Sequence, residues 1–336
     1  MNYQELKKVI SANPKVVLTT HRSPDGDAIG SILGLYLFLK KMGLTQVTPI
    51  IPDPDADFLH WMPNHDLLLD YSSNTDQAKS IIADAEVIFL LDFNVTSRLG
   101  DMGADVDQNS TATKILIDHH REPDDFPYML SEVGASSTAE LIYVFTRELA
   151  PEVKLDVDIA ACLYTGIVTD TGSFRFNSTS PRTHRIAADF MELGLETAKI
   201  HNLVYDTNSF NRLQLMGYTL SNKLQLFPEI EASCMSLSQE ELQRFNYKKG
   251  DTEGLVNYGL SMKEVKFTAF FREAEDGSVK ISFRSKGQFD VNTFARTYYN
   301  GGGHLNAAGG RVEKPLDEVV RTFPEMAKSY MKELSK

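Results

Sequence analysis

Eight acidic and imidazole side chains stand out because their types and spacing suit chemistry. They are His21, Asp25 and Asp27 in HRSPDGD, Asp92 closing VIFLLD, Asp118, His119 and His120 in KILIDHH, and Asp170 in TGIVTDTGSF. Carboxylates two residues apart repel each other, and a divalent cation is the usual reason to hold them together. A mixed carboxylate and imidazole set suits Mn(II), with Mg(II), Co(II) or Fe(II) also admissible. The only cysteines are Cys162 and Cys234, and neither lies in a C-x-x-C pair. A zinc-thiolate site and a disulfide framework are therefore both excluded, leaving oxygen and imidazole as the ligands.

Each group also has a plainer reading. Asp27 would cap the helix after the turn, while Asp92 and Asp170 would cap a strand end and a helix end. All of these holding together is the poorer account. Neighbouring histidines on an extended segment point in opposite directions, so His119 is expected as a ligand. His120 then remains as a phosphate contact or proton donor, and Asp118 orients an imidazole from behind.

The elements that carry these groups alternate. Val16–Thr20, Val47–Ile51, Val87–Asp92 and Lys114–Asp118 are compact apolar runs that read as strands. Helical spacing is expected over Asp27–Lys41, Ser136–Leu149, Val157–Val168 and Pro181–Leu193, with Asp170 just past the third of these. Strands alternating with helices predict an α/β fold whose parallel sheet is covered on both faces. Ligands bind such sheets at the carboxyl ends of the strands, which is where His21, Asp92 and Asp118 fall.

Residues 196–225 read as a helical linker, so a first domain is expected over 1–195 and a second over 226–336. In the second, Glu229–Leu237 and Val265–Arg272 alternate like strands, and Val279–Arg284 follows a turn as a hairpin partner. The helix-like VNTFARTYY and a closing helix over Leu316–Leu334 flank GGGHLNAAGG, residues 301–310. That cluster is too rich in glycine for the middle of a helix or strand. Its successive amides could form a concave anion site, with His304 as a further donor and Arg284-Ser285 converging on it. A glycine-rich turn with a packed histidine is the alternative.

Composition bounds the rest. The 336 residues exceed one core's usual span, and 42% hydrophobic with 24% charged residues is ordinary for a soluble globular chain. No apolar stretch is long enough to cross a bilayer, and MNYQELKKVI lacks a signal-peptide core, so the cytoplasm is the expected location. A net charge of -12 argues against wrapping long duplex nucleic acid. Residues 251–336 carry 13 Lys plus Arg against 12 Asp plus Glu, so the acid is concentrated in the first 250 residues. The C-terminal part can therefore tolerate an anionic ligand.

Taken together, HRSPDGDAIGS, LDF, DHH and TDTGSF stand in the order and spacing of the DHH phosphoesterase superfamily, and the GGGH loop with its upstream Arg-Ser resembles the DHHA1 signature. The resemblance covers most of the chain. It implies a parallel-sheet DHH domain followed by a smaller α/β DHHA1 domain with a mixed sheet. By that resemblance two Mn2+ ions, replaceable by Mg2+ or Co2+, are bound: one by His21, Asp25 and Asp92, the other by Asp27, Asp92, His119 and Asp170. The ions would sit about 3.5 to 4 Å apart and activate a bridging water, with Arg98 and His120 holding transition-state oxygens. Arg284, Ser285, Gly302, Gly303, His304 and Asn306 would bind the far end of a nucleotide.

Within the superfamily, the GGGH loop argues against pyrophosphatases, the length against exonucleases with an extra nucleic-acid module, and the lack of spanning segments against the membrane-bound phosphodiesterases. The compact type remains. It cleaves short oligoribonucleotides to mononucleotides and removes the 3'-phosphate from adenosine 3',5'-bisphosphate. A soluble phosphodiesterase of linear or cyclic dinucleotides is the alternative, and a nucleotide-binding module without catalysis is the alternative of another class. Expected partners are short single-stranded RNA or nucleotides, not long duplexes or membranes, and a homodimer is allowed.

Overall fold

In the first half of the chain the strand residues are apolar on both sides, and the two sets of side chains enter separate cores. Val16, Leu18, Val87, Phe89, Leu91, Ile115 and Ile117 pack into one cluster, whereas Val17, Ile50, Ile88, Leu90 and Leu116 pack into another. Burial of alternate residues on opposite faces is what a sheet covered on both sides requires.

The computed structural model describes residues 1–334. The chain divides into two compact units, Met1–Thr207 and Asn208–Lys336. In chain order the first holds α1 (Tyr3–Ser11), β1 (Val16–Thr20), α2 (Gly26–Lys41), β2 (Val47–Ile51), β3 (Leu69–Asp70), α3 (Thr75–Asp84), β4 (Val87–Leu91) and α4 (Asp101–Gln108). Then come β5 (Thr113–Asp118), β6 (Tyr128–Ser131), α5 (Thr138–Leu149), α6 (Val157–Asp170), α7 (Pro181–Glu192) and α8 (Thr197–Tyr205).

Its six strands run in the order β3-β2-β1-β4-β5-β6, all parallel. Chain progression is outward from β1 to β3, then outward again from β4 to β6. The direction therefore switches between β1 and β4, the place where the carboxyl ends of such a sheet open into a crevice. α3 and α4 cover one face through Ala78, Ile82, Met102 and Val106. α1, α2, α5 and α6 cover the other, and the α/β class expected from the sequence is what forms.

A glycine row sets the closest packing. Cβ atoms at Gly30 and Gly34 of α2 would stand 2.4 Å from the Cys162 carbonyl and 2.5 Å from Leu163, and one at Gly26 would stand 2.5 Å from Thr169. Only glycine lets α2 lie this near α6. On α6, a Cβ at Gly166 would stand 2.7 Å from the Asp27 carboxylate, so this helix approach also sets the depth of that side chain.

The second unit holds α9 (Phe210–Tyr218), β7 (Gln225–Phe227), β8 (Ala232–Leu237), α10 (Gln239–Arg244), α11 (Leu255–Leu260), β9 (Phe267–Glu273), β10 (Val279–Ser285), α12 (Val291–Tyr299), β11 (Gly302–Gly303), β12 (Ala307–Val312) and α13 (Leu316–Leu334). Its sheet order is β11-β12-β10-β9-β8-β7, antiparallel except for the parallel pair β8 and β9. A core rich in Phe267, Phe271, Phe283, Phe294 and Phe323 fills one face, under α12 and α13.

Several expectations are corrected. Asp170 is the last residue of α6, not a residue beyond it. Residues 196–225 are not one helical stretch: α8 ends at Tyr205, α9 begins at Phe210, and the span closes in a π-turn and the start of β7. Residues Pro228–Ile230 form a 3-10 turn, so the strand expected from Glu229 starts at Ala232. The glycine cluster is a β-hairpin. Gly302 and Gly303 pair with Gly309 and Ala308, and a Cβ at Gly301 would overlap the Gly309 carbonyl. Register with β10 imposes strand geometry on residues whose own preference is weak.

Candidate metal centre

The HRSPDGD turn leaves β1 at the switch point. Asp25 is the N-cap of α2, accepting from the amides of Asp27 and Ala28 at 3.0 and 3.1 Å. The capping role considered for Asp27 therefore belongs to Asp25. Asp27 instead points inward, where it accepts from the Thr138 and Ala139 amides at 2.6 and 2.9 Å. Those amides are the unpaired donors at the start of α5, so one helix positions a carboxylate displayed by another.

Asp92 follows β4 with φ of 65°, a left-handed conformation that Asp tolerates better than most residues. Its amide donates to the Ile117 carbonyl at 3.1 Å, and its Oδ1 accepts from Thr138 Oγ1 at 2.9 Å. The carboxylate is almost fully buried. Imidazoles converge on it: His21 Nε2 at 3.5 Å, His119 Nε2 at 3.6 Å and His120 Nδ1 at 3.8 Å.

His119 Nε2 also lies 3.8 Å from Asp27 and 3.5 Å from Asp170. Its Nδ1 faces the Ala135 carbonyl at 3.2 Å, as His21 Nδ1 faces the Arg22 carbonyl at 2.8 Å. A carbonyl at Nδ1 holds a proton there, so Nε2 is the nitrogen that faces the carboxylates and the one a cation would take.

The expectation that His119 and His120 point apart is not met, because β5 ends at Asp118 and both histidines lie beyond the strand. Their rings stand edge to face at 5.0 Å. Their surroundings still separate them: His120 Nδ1 is 2.7 Å from Asp118 Oδ1, and its amide donates to Asp118 Oδ2 at 3.0 Å. Asp118 is fully buried behind that ring. Arg98 is half-buried on the 3-10 turn Thr96–Leu99, with its charge acting on His21, His120 and Asp118.

The electrostatics are those of crowded acids. Burial, then the charges of Asp92, Asp170 and Asp25, hold the Asp27 carboxyl well above the usual range. Burial pushes Asp92 the same way, but the surrounding imidazoles, His21 first, outweigh it and hold Asp92 well below. Burial and the Asp92 charge raise Asp118 to about 6. Burial and Arg98 push His120 well below the usual imidazole value.

Three groups of donor atoms share Asp92, but in the one with Asp118 and His120 the imidazole Nδ1 is tied to Asp118 at 2.7 Å, which leaves two. His21, Asp25 and Asp92 form one, and Asp27, Asp92 and His119 the other, each with donor atoms within 4.8 Å of one another. Ligands about 2.1 Å from an octahedral ion stand about 3 Å apart when adjacent and about 4 Å when opposite. Both groups fit a divalent cation, and positive charge would relieve the repulsion around Asp27.

The supports of these carboxylates leave little signal in the sequence. Thr138 ties both carboxylates, and its only trace is the helix-start pattern in SSTAE. Buried Glu140 braces the same helix start, accepting from Ser136 Oγ, Thr183 Oγ1 and Arg182 Nε, each at 2.6 Å.

The expected ligand-binding residues of the second unit fall on β10 and the glycine hairpin. Arg284 lies on β10 opposite Ala307, with Nη1 donating to the Phe283 carbonyl at 3.0 Å. Ser285 Oγ donates to the Phe289 carbonyl at 2.6 Å and accepts from Asn306 Nδ2 at 2.8 Å. Those two residues tie the hairpin to β10. The amides are not an open cradle: Gly301 donates to Ala295, Gly303 to Asn292 Oδ1 and His304 to Ala307. Asn292, unmarked in the sequence, thus holds the loop from α12.

A parallel-sheet unit with a carboxylate–imidazole centre at its switch point, joined to a unit with a mixed sheet and a GGGH hairpin, defines a class, and the chain belongs to the DHH family. The family's N-terminal domain matches residues 15–167, and the DHHA1 domain matches residues 235–333. Among its relatives is the bifunctional oligoribonuclease and PAP phosphatase NrnA of Bacillus subtilis (strain 168), 28% identical over 96% of both chains. NrnA of Thermus thermophilus is 30% identical over 96% of this chain and 90% of that one. Among solved structures, an exopolyphosphatase-related protein from Bacteroides fragilis superposes with a TM-score of 0.92 at 38% identity, covering 99% of this chain and 98% of the other. No helix among the described residues is long and apolar enough to cross a membrane.

Proposed function

We propose that the chain hydrolyses phosphoester bonds in short nucleotides, releasing mononucleotides from oligoribonucleotides of a few residues and the 3'-phosphate from adenosine 3',5'-bisphosphate. The observation that carries this reading is the Asp92 carboxylate, which the His21–Asp25 and the Asp27–His119 donor groups have in common. Asp92 would bridge two Mn2+-class ions, with His21 and Asp25 completing one set and Asp27, His119 and Asp170 the other. When bound, such a pair lowers the pKa of a bridging water and neutralises a phosphoryl oxygen.

The chain's own residues supply position and charge. Asp118 fixes the His120 ring through Nδ1, leaving Nε2 to exchange a proton or a hydrogen bond with the reacting phosphate. Arg98 adds a fixed cation beside these imidazoles for charge that builds on phosphoryl oxygens. In the second unit, Arg284, Ser285, Gly302, Gly303, His304 and Asn306 would take the nucleotide end remote from the scissile bond, with Ser285 and Asn306 also tying the hairpin to β10. The names of the NrnA relatives support the substrate class, and a cytoplasmic location follows from such substrates.

Incubation with Mn(II) and labelled RNA dinucleotide, adenosine 3',5'-bisphosphate, and linear and cyclic dinucleotides tests the reading. Mononucleotide release from the RNA dinucleotide, with AMP from the bisphosphate, is expected. Tight binding without release would overturn it in favour of a binding module, and turnover confined to cyclic dinucleotides would overturn the substrate assignment.

A further inference from the structure

The loop after β2 carries a second group of metal-ligating side chains, outside the centre around Asp92. Asp55, His60 and His65 recur at five-residue intervals and bring three donor atoms within 4.8 Å of one another. Short 3-10 turns at Asp57–Leu59 and His65–Leu67 fold the segment back so that both imidazoles reach one carboxylate.

We propose that Asp55, His60 and His65 form a third cation site, of the zinc class. The Asp55 side chain is only 3% exposed, and a buried carboxylate must be compensated. His65 Nε2 lies 2.9 Å from Oδ2, a hydrogen bond that alone could tie the loop. His60 separates the two explanations. Its Nε2 lies 3.6 Å from the other oxygen, Oδ1, too far for a good hydrogen bond, yet its ring sits 4.5 Å from that of His65.

Bonds of about 2.0–2.1 Å in a tetrahedral site place ligand atoms about 3.3 Å apart, and the two separations here bracket that value. His60 is half exposed, so the fourth position opens to water. Two imidazoles and one carboxylate favour Zn(II) over Mn(II) or Mg(II), the reverse of the oxygen-rich centre around Asp92.

The position gives the site a purpose. Two residues before the triad, Asp53 accepts from the Ser23 amide at 2.8 Å and faces the Arg22 guanidinium at 3.5 Å. A cation in this loop therefore braces the turn that carries His21 and Asp25. The site stands whether or not the proposed activity does, because none of its ligands belongs to the catalytic set.

Equilibrium dialysis of the full chain against Zn(II), with bound metal counted by atomic emission, tests it beside His60→Ala and His65→Gln. Glutamine keeps a donor toward Asp55 and so preserves the loop tie. Each variant should bind one equivalent less than the parent, and should lose the intense visible bands of tetrahedral Co(II) after cobalt loading. Turnover with Mn(II) should persist in both. Equal zinc content in parent and His60→Ala, or cobalt bands unchanged in both variants, would overturn the proposal.

Discussion

The same two carboxylates that take part in the donor groups are held by one residue that cannot itself be a strong ligand. Thr138 donates its amide to Asp27 and its hydroxyl to Asp92, so it sets their spacing without entering either group. Thr138→Val keeps the shape and the amide but removes the hydroxyl. We expect metal affinity to fall about 10- to 100-fold, as for other losses of an outer partner, with thermal stability little changed. Titration with Mn(II) followed by calorimetry checks this. Asp118→Asn makes the complementary case: metal content should stay intact while turnover falls about tenfold or more, because the His120 ring loses its charged partner. That the eight acidic and imidazole residues come together was legible, because capping alone poorly explains so many of them at strand and helix ends. Thr138, Glu140 and Asn292 were not, since a polar residue near a helix start looks the same whether it caps or supports a site.

At the scale of elements, the strands with a double-sided apolar pattern could be read directly, as in VIFLL and KILID. β3 and β6 could not. They are the sheet's edges, two and four residues long and only half-buried, so no pattern accumulates. Nor does any local signal encode the switch between β1 and β4, which is a matter of strand order. The glycine row of α2 passed as part of an apolar helix, and its meaning lies in what a Cβ would strike. Gly30→Ala should therefore destabilise by about 1–3 kcal/mol, because the obstacle is the Cys162 backbone and cannot swing aside. Gly217 in α9 has nothing within 4 Å of an added Cβ. Gly217→Ala should instead stabilise by about 0.5–1 kcal/mol. Urea unfolding of both variants separates packing from propensity, and equal signs would contradict this account of the row.

At the scale of the whole molecule, the proposed function puts chemistry and recognition in different units. His304→Ala should raise KM for nucleotide substrates and leave bound Mn(II) unchanged; loss of metal would contradict the division. Metal should also stabilise the fold, since ligands brought together only in the native state bind it alone: free Mn(II) at 100 times its dissociation constant adds about 2.7 kcal/mol per site, reversed by chelation. The acid excess of the first 250 residues and the near balance of the last 86 agree with that assignment. In the proposed centre Asp92 joins two cations. Electron paramagnetic resonance of the Mn(II)-loaded chain tests it most directly. Two Mn(II) per chain are expected, with the multiline signal of an exchange-coupled pair that collapses to uncoupled ions in Asp92→Asn. A six-line spectrum of isolated Mn(II) in the parent protein would contradict it.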